Sequence, residues 1–226
     1  GTAPKGPILE YGSGAGAFLR EGIDSDLIVH GVEVDPQREV QFVHACGSKL
    51  SKYRDFYHLY DGGILPFESG YFEGIYSWFV LEHVSDIWTS LREIVRTLKP
   101  GGTMALFTQD ARDCYEGHMG MPWPPYLPKT FIPAYLRALG TSESQIEFMV
   151  NEVHYVTTPQ ICTTLESLGC EVVFHSETPE RMLLDSLNIA SEAEAIAYAE
   201  TAIQHRESGA WHKPKENSII FARRLE

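Results

Sequence analysis

The sequence predicts a doubly wound α/β fold built on a mainly parallel sheet. Between Pro7 and Thr108, short apolar runs alternate with amphipathic stretches, the rhythm of strands joined by crossover helices. The first apolar run ends in a glycine-dense turn, Gly12-Ser13-Gly14-Ala15-Gly16, leading into a helical pattern. At 226 residues the chain fits one domain if its extra length decorates a single sheet.

Strands are expected at about 7–11, 28–34, 55–59, 72–78 and 102–108, with helices in the gaps. After the second strand, Asp35-Pro36 reads as an N-cap followed by proline at the first helical position. The clearest helix runs from Asp86 to Leu98, where Ile87, Leu91, Ile94, Val95 and Leu98 recur at helical spacing and Pro100-Gly101-Gly102 supplies the stop. The stretch 111–156 breaks the rhythm with prolines and a dense set of Met, Trp, Tyr and Phe, and is too long for an ordinary connection. It is expected to be a lid-like insertion on the substrate side. Beyond it come a helix over Thr158–Leu168, a strand over Cys170–His175, an Ala-rich helix over Ser191–His205 with a solvated acidic face, and a last strand over Ser218–Arg223. The tail belongs to the same unit, so residues 1–226 are expected to form one domain.

Composition narrows the function. The 43% hydrophobic and 22% charged residues are ordinary for a globular protein, and no apolar run approaches a bilayer span, so no membrane association is expected. A net charge of −13 repels a phosphate backbone, which argues against nucleic acid as a partner. Cys46, Cys114, Cys162 and Cys170 form no CxxC pair, and neither a signal peptide nor a basic amphipathic leader is present, which suits a reduced, cytoplasmic setting. Cys114 and His118 stand four apart without a further ligand to complete a tetrahedral set, so no metal is expected.

The glycine turn opens at the carboxyl edge of the sheet, where open α/β folds bind ligands. Glycines at 12, 14 and 16 let the main chain turn tightly and approach a ligand closely. At the end of the second strand, Glu33-Val34 places a carboxylate about twenty residues on, where one can accept from both ribose hydroxyls. Taken alone, these features suit a nicotinamide dinucleotide equally well, because Gly12, Gly14 and Ala17 satisfy the looser G-x-G-x-x-A pattern.

Further segments separate the readings. Asp61-Gly62-Gly63-Ile64-Leu65-Pro66-Phe67, Val80-Leu81-Glu82-His83-Val84 and Leu98-Lys99-Pro100-Gly101-Gly102, in this order after the glycine turn, resemble the class I S-adenosylmethionine-dependent methyltransferases. The resemblance spans about Ile8 to Phe107 and, more loosely, the two final strands. It implies a Rossmann-like, seven-stranded, mainly parallel sheet with an antiparallel last strand and the insertion after the fifth strand. It also implies binding of S-adenosyl-L-methionine, with S-adenosyl-L-homocysteine as product. By this resemblance Asp61 accepts from the adenine amino group, Gly62 reads the ring edge, and Glu10 holds the methionine ammonium. Gly12, Ser13, Gly14 and Gly16 line the methionine and ribose beside Glu33 and Val34, while Ser77, Trp78 and Phe79 flank the sulfonium and face the acceptor. Glu33 stands where the family more often has Asp, Tyr60 where a Gly is frequent, and the sequence opens almost directly on the first strand, where many members place one or two helices that cover the site.

Methyl transfer is an in-line displacement that positioning alone can accelerate, and a base is needed only if the acceptor must lose a proton. His83, His118 and His154 are the candidates, by chemistry and by location. Trp123, Tyr126 and Tyr155, with Phe79, are the expected substrate contacts, among Met and aromatic residues suited to an apolar or aromatic small molecule. Trp123-Pro124-Pro125-Tyr126 lacks the leading Asp or Asn of the nucleic-acid amino-methyltransferase motif. The reading is therefore a methyltransferase for a small-molecule acceptor. The alternatives are an NAD-dependent oxidoreductase, which no YxxxK pair supports, and a non-catalytic cofactor-binding module.

Overall fold

In the order of the chain, β1 (Ile8–Tyr11) is four buried residues that lie between two parallel neighbours, β2 (Val29–Glu33) and β4 (Phe72–Trp78). The computed structural model describes residues 6–176, 189–207 and 218–226. With β3 (Tyr57–Leu59), β5 (Leu98–Thr108), β8 (Cys170–His175) and β9 (Ser218–Arg224), the strands form a seven-stranded sheet in the order β3-β2-β1-β4-β5-β9-β8. β9 runs antiparallel to both β5 and β8, and the other pairs are parallel. The order reverses at β1, the switch point at which such sheets open a crevice beyond their carboxyl ends.

One face of the sheet carries α4 (Ile87–Thr97) and α7 (Thr158–Ser167), which bury Leu91, Ile94, Ile161 and Leu165 against Leu9, Val32, Ile75 and Leu106. The other carries α1 (Ala17–Asp24), α2 (Pro36–Cys46) and the short α3 (Leu50–Tyr53), with Leu19, Val29, Phe42, Tyr53 and Tyr57 packed together. Capping follows the sequence. The Asp35 side chain accepts from the Gln37 N–H at 2.8 Å, with Pro36 in the first turn of α2. Asp86 caps α4 through the Thr89 N–H at 3.0 Å, and Thr157 opens α7 in a reciprocal capping box with Gln160.

Two boundaries differ from the sequence reading. Leu98 is the first residue of β5 rather than the last of α4, and Pro100-Gly101-Gly102 lies inside that strand. Leu98 is extended and pairs with Phe72, and the register then shifts before Gly74 pairs with Thr103. Gly102 fits this excursion because a Cβ there would sit 2.7 Å from the Leu98 side chain. The third strand begins at Tyr57, two residues later than expected, because Arg54–Phe56 forms a 3-10 turn.

The insertion folds into a small hairpin, β6 (Tyr115–Glu116) with β7 (Met121–Pro122), then α5 (Ile132–Ala138) and α6 (Glu143–Asn151). Its core is Trp123, Ile132, Tyr135, Leu136, Ile146 and Met149, completed by Ala195 and Ala199 of α8 (Glu192–Glu207). The Ala-rich helix near the carboxyl end therefore packs on the insertion, and its small residues allow close approach to α5. The stretches 177–188 and 208–217 that flank α8 lie outside the described residues. At the base of the insertion the Asp110 carboxylate accepts from the Arg112 guanidinium at 2.9 and 3.0 Å and from the Thr158 N–H at 2.6 Å, and Asp110 bridges to Val156. That buried knot ties both ends of the insertion to the start of α7.

The Leu65-Pro66-Phe67 turn is held by two residues of α4. Glu93 accepts from the Leu65 N–H at 2.9 Å, and Arg96 donates to the Leu65 and Phe67 carbonyls at 3.1 and 2.9 Å while pairing with Glu93 at 2.7 Å. Replacing Glu93 strands a buried N–H and leaves Arg96 without its charge partner. Glu93→Ala is expected to lower the unfolding free energy by about 2 to 4 kcal/mol, read from the denaturant midpoint; an unchanged midpoint would show that the turn is held without this clamp.

Candidate functional site

The glycine turn owes its shape to positive φ at Gly12, Gly14 and Gly16, and its position to β2. Gly12 and Ser13 donate their N–H groups to the Val32 carbonyl at 3.1 and 2.9 Å. The Glu33 carboxylate accepts from Gly14 N–H at 2.7 Å, Val34 N–H at 2.8 Å and Asp35 N–H at 3.1 Å, binding the turns after β1 and β2 to each other. Tyr57 adds a hydroxyl donated to the Gly14 carbonyl at 2.8 Å.

Above this turn lies a cavity of about 820 Å³. Of the residues singled out in the sequence, Gly12, Gly14, Glu33, Val34, Asp61, Gly62, Trp78, Phe79 and His83 line it, joined by Tyr11, Tyr60 and Val80. A Cβ on Gly14 would meet no protein atom within 4 Å, whereas one on Gly12 would meet Val80 at 2.2 Å. Gly14 thus leaves open space at the floor, and Gly12 lets Val80 close the wall. Asp61, anchored by the Gly63 N–H at 3.0 Å, faces this space from the end of β3. Two carboxylates and a bare main chain fit a nucleoside with ribose hydroxyls and an exocyclic amine.

Four expected cofactor contacts stand behind the wall instead of on it. Ser13 is buried with its hydroxyl toward the Val32 carbonyl at 3.3 Å, and Ser77 is fully buried, donating to the Tyr11 carbonyl at 3.1 Å. Gly16 starts α1 and its missing Cβ makes room for Phe42, 2.6 Å from where that atom would be. Glu10 accepts from the Leu19 N–H of α1 at 3.1 Å, a carboxyl at a helix N-terminus. Burial raises the Glu10 carboxyl to about 8, which the Leu19 hydrogen bond opposes and the nearby Glu33 charge reinforces.

The histidines form a cluster that sequence spacing did not show. His83 Nε2 and His118 Nε2 face each other at 3.0 Å, although the residues are far apart in the chain. His83 Nδ1 lies 2.9 Å from the Glu152 carbonyl, and His118 Nδ1 2.6 Å from Glu116 Oε1. Glu116 is fully buried and also accepts from Tyr155 hydroxyl at 2.9 Å and Met119 N–H at 2.6 Å. Burial works against its charge, but His118 and these donors outweigh it and hold the carboxyl low. Burial likewise opposes a charged His118, and Glu116 more than compensates, raising its pKa. Glu82, also fully buried, accepts from Thr108 at 2.8 Å through one oxygen while the other has no partner among the described residues. Cys114 takes no part in the cluster. His154 stands apart, with its Nδ1 3.1 Å from Lys129 Nζ, and burial followed by the Lys129 charge lowers its pKa.

A second cavity, about 780 Å³, adjoins the first and shares Val84 and Ser85 with it. Ile87, Trp88, Leu127, Ile132 and Val153 make it largely apolar, and Tyr126, Tyr155, His154 and Lys129 bring polar groups to it. Trp123, expected at the acceptor, is 2% exposed and packs edge-on against Tyr135 in the core of the insertion, so it supports the wall without lining it.

A family model described as a methyltransferase domain matches residues 2–173. The chain belongs to this methyltransferase domain family. Its fold is that of S-adenosylmethionine-dependent methyltransferases of known structure. An S-adenosylmethionine-dependent methyltransferase of Mesorhizobium loti superposes with a TM-score of 0.59, at 19% identity over 98% of this chain and 93% of that one. Phosphoethanolamine N-methyltransferase 2 of Haemonchus contortus, in complex with S-adenosyl-L-methionine, gives 0.58 at 16% identity, covering all of this chain (100%) and 50% of that one. In sequence, an uncharacterised methyltransferase of Mycobacterium leprae is 35% identical over 107 residues, which is 47% of this chain and 38% of the relative. The chain matches 37% to 41% of the length of such relatives. No helix among the described residues is long and apolar enough to cross a membrane.

Sequence reasoning passed over Tyr57, Glu116, Glu93 and Arg96, which act through main-chain groups and neighbours distant in the chain. Glu33→Ala removes the acceptor of three N–H groups at once. It is expected to weaken S-adenosylhomocysteine binding by about 1.5 to 3 kcal/mol, roughly 10- to 150-fold by calorimetry. Unaltered affinity would mean that Glu33 shapes neither the turn nor the ligand contact.

Proposed function

We propose that this chain transfers a methyl group from S-adenosylmethionine to a small, largely apolar or aromatic acceptor, in the cytoplasm. The observation that carries the proposal is the junction of two cavities at Val84 and Ser85, one floored by the glycine turn with Glu33 and Asp61, the other apolar and backed by the insertion. Residues 111–156 thereby act as the substrate-side wall of a single working unit over 1–226. Four free cysteines support the cytoplasmic assignment, and the net charge of −13 supports a partner other than nucleic acid.

When bound, the cofactor supplies a sulfonium methyl open to in-line attack. Glu33 accepts from the ribose hydroxyls, Asp61 accepts from the adenine amine, and Gly62 borders the ring. Trp78 and Phe79, at the end of β4, border the reacting end with apolar rings. Tyr126, Tyr155 and His154 border an acceptor in the second cavity, and burial, followed by the Lys129 charge, favours the uncharged form of His154. The main contribution of the protein is to hold two reactants in line in a dry space.

Two outcomes follow. Thr163 is exposed on α7 and lines the second cavity. Thr163→Trp is expected to cut kcat/KM for the acceptor roughly tenfold or more while S-adenosylhomocysteine affinity stays the same; equal catalytic loss with any acceptor size would place the acceptor elsewhere. Glu10, with its carboxyl near 8 in the free protein, is protonated at pH 7. An ammonium held at the wall in front of it favours the charged form, so binding should release up to about one proton, and affinity should rise with pH up to that value and level off above it. Calorimetry in two buffers of different ionisation enthalpy measures this release. No release from the native protein, or the same release from Glu10→Gln, would remove Glu10 from the ammonium.

A further inference from the structure

The two facing histidines present a problem of charge. The Glu152 carbonyl can only accept, so His83 Nδ1 carries the proton of that 2.9 Å hydrogen bond. Glu116 Oε1 accepts from the Tyr155 hydroxyl as well, and this acceptor faces His118 Nδ1, so that nitrogen is likewise a donor. In neutral rings both Nε2 atoms then bear lone pairs, and these point at each other across 3.0 Å. Two lone pairs at that distance repel unless a cation stands between them.

A third donor completes the arrangement. Glu82 is wholly buried, and its Oε1 has no hydrogen-bond partner among the described residues, a costly condition for a buried carboxyl oxygen. Ligand atoms of Glu82, His83 and His118 all lie within 4.8 Å of one another. We propose that Glu82, His83 and His118 form a binding site for a divalent transition metal ion of the zinc class. Two imidazoles and one carboxylate are a ligand set that zinc accepts, and three protein ligands leave one position open for water or substrate. Each histidine is fixed through its other nitrogen, His118 by a buried carboxylate and His83 by a main-chain carbonyl, the outer-shell support typical of metal-bound imidazoles. This replaces the expectation from sequence that no metal is bound, which considered Cys114 with His118 and could not see His83.

His83 also lines the cofactor cavity next to Val84 and Ser85, where the two cavities meet. On the reading that this chain methylates a small acceptor, an ion held there would lie near the junction of the two cavities, where it would bind an acceptor oxygen and ease loss of its proton.

The test begins with protein stripped by chelator, loaded separately with Zn²⁺ and Co²⁺, and freed of excess by gel filtration. About one ion per chain is expected by elemental analysis, with the visible d–d bands of four- or five-coordinate Co²⁺. His118→Gln and Glu82→Gln should each abolish retention, and Glu116→Gln should weaken it about 10- to 100-fold. Glu82→Gln keeps the volume and an acceptor for Thr108, and circular dichroism confirms that each variant compared is folded. A native protein that retains no ion, or variants that retain it as well as the native protein, overturns the site and leaves a shared proton as the cation between the rings. S-adenosylhomocysteine binding, measured on the same samples, reports separately on the methyltransferase reading.

Discussion

The carboxylate of Glu33 is the point on which the cofactor end of this molecule depends. It gathers main-chain N–H groups from Gly14, Val34 and Asp35, and so locks the turn after β1 to the turn after β2 at the place where the sheet changes direction. A carboxylate can do this because it accepts through two oxygens, and hydrogen bonds to a charged acceptor are stronger than neutral ones. The longer side chain of Glu, compared with the Asp more usual at this position, is sufficient to span from the end of β2 to the glycine turn. Tyr57 supports the same turn from β3, and Gly16 admits Phe42 beneath it. The floor of the cavity at Gly14 is therefore main chain with no side chain over it, which suits a ligand that approaches closely.

The substrate side is organised differently. Asp110, Arg112 and Thr158 tie the insertion at its neck, and the body of the insertion has its own apolar core shared with α8. Such a body can vary in sequence without disturbing the sheet, as expected where one fold serves many substrates. The buried Glu116 links the two regions, since it lies in the insertion and orients His118 against His83 at the end of β4. A carboxylate placed in the insertion thus fixes the histidine that faces His83 at the cofactor cavity.

Much of this was legible in the chain itself. Alternating strands and helices, the glycine spacing, Asp35-Pro36 and the Cys170–His175 and Ser218–Arg224 strands follow from periodicity and local chemistry, and they appear where the sequence put them, within a residue or two. Leu98 was misassigned because it continues the helical period of α4 while pairing with Phe72, a contact that only the sheet creates. Trp123 was misplaced for a related reason: an aromatic residue in an insertion looks the same in sequence whether it faces a ligand or a core.

The sequence by itself determined the class of fold and the glycine turn, and it singled out Glu33 and Asp61, which line the same cavity as that turn, because those features depend on residues close along the chain or at the ends of neighbouring strands. Tertiary structure decided which of the expected residues reach the cavity and which stand behind it, since Ser13, Ser77, Gly16 and Glu10 are turned into main-chain or packing contacts by their neighbours. It also decided the partners of the histidines. His83 and His118 meet through the tertiary fold, and no spacing rule encodes a contact between residues so far apart in the chain.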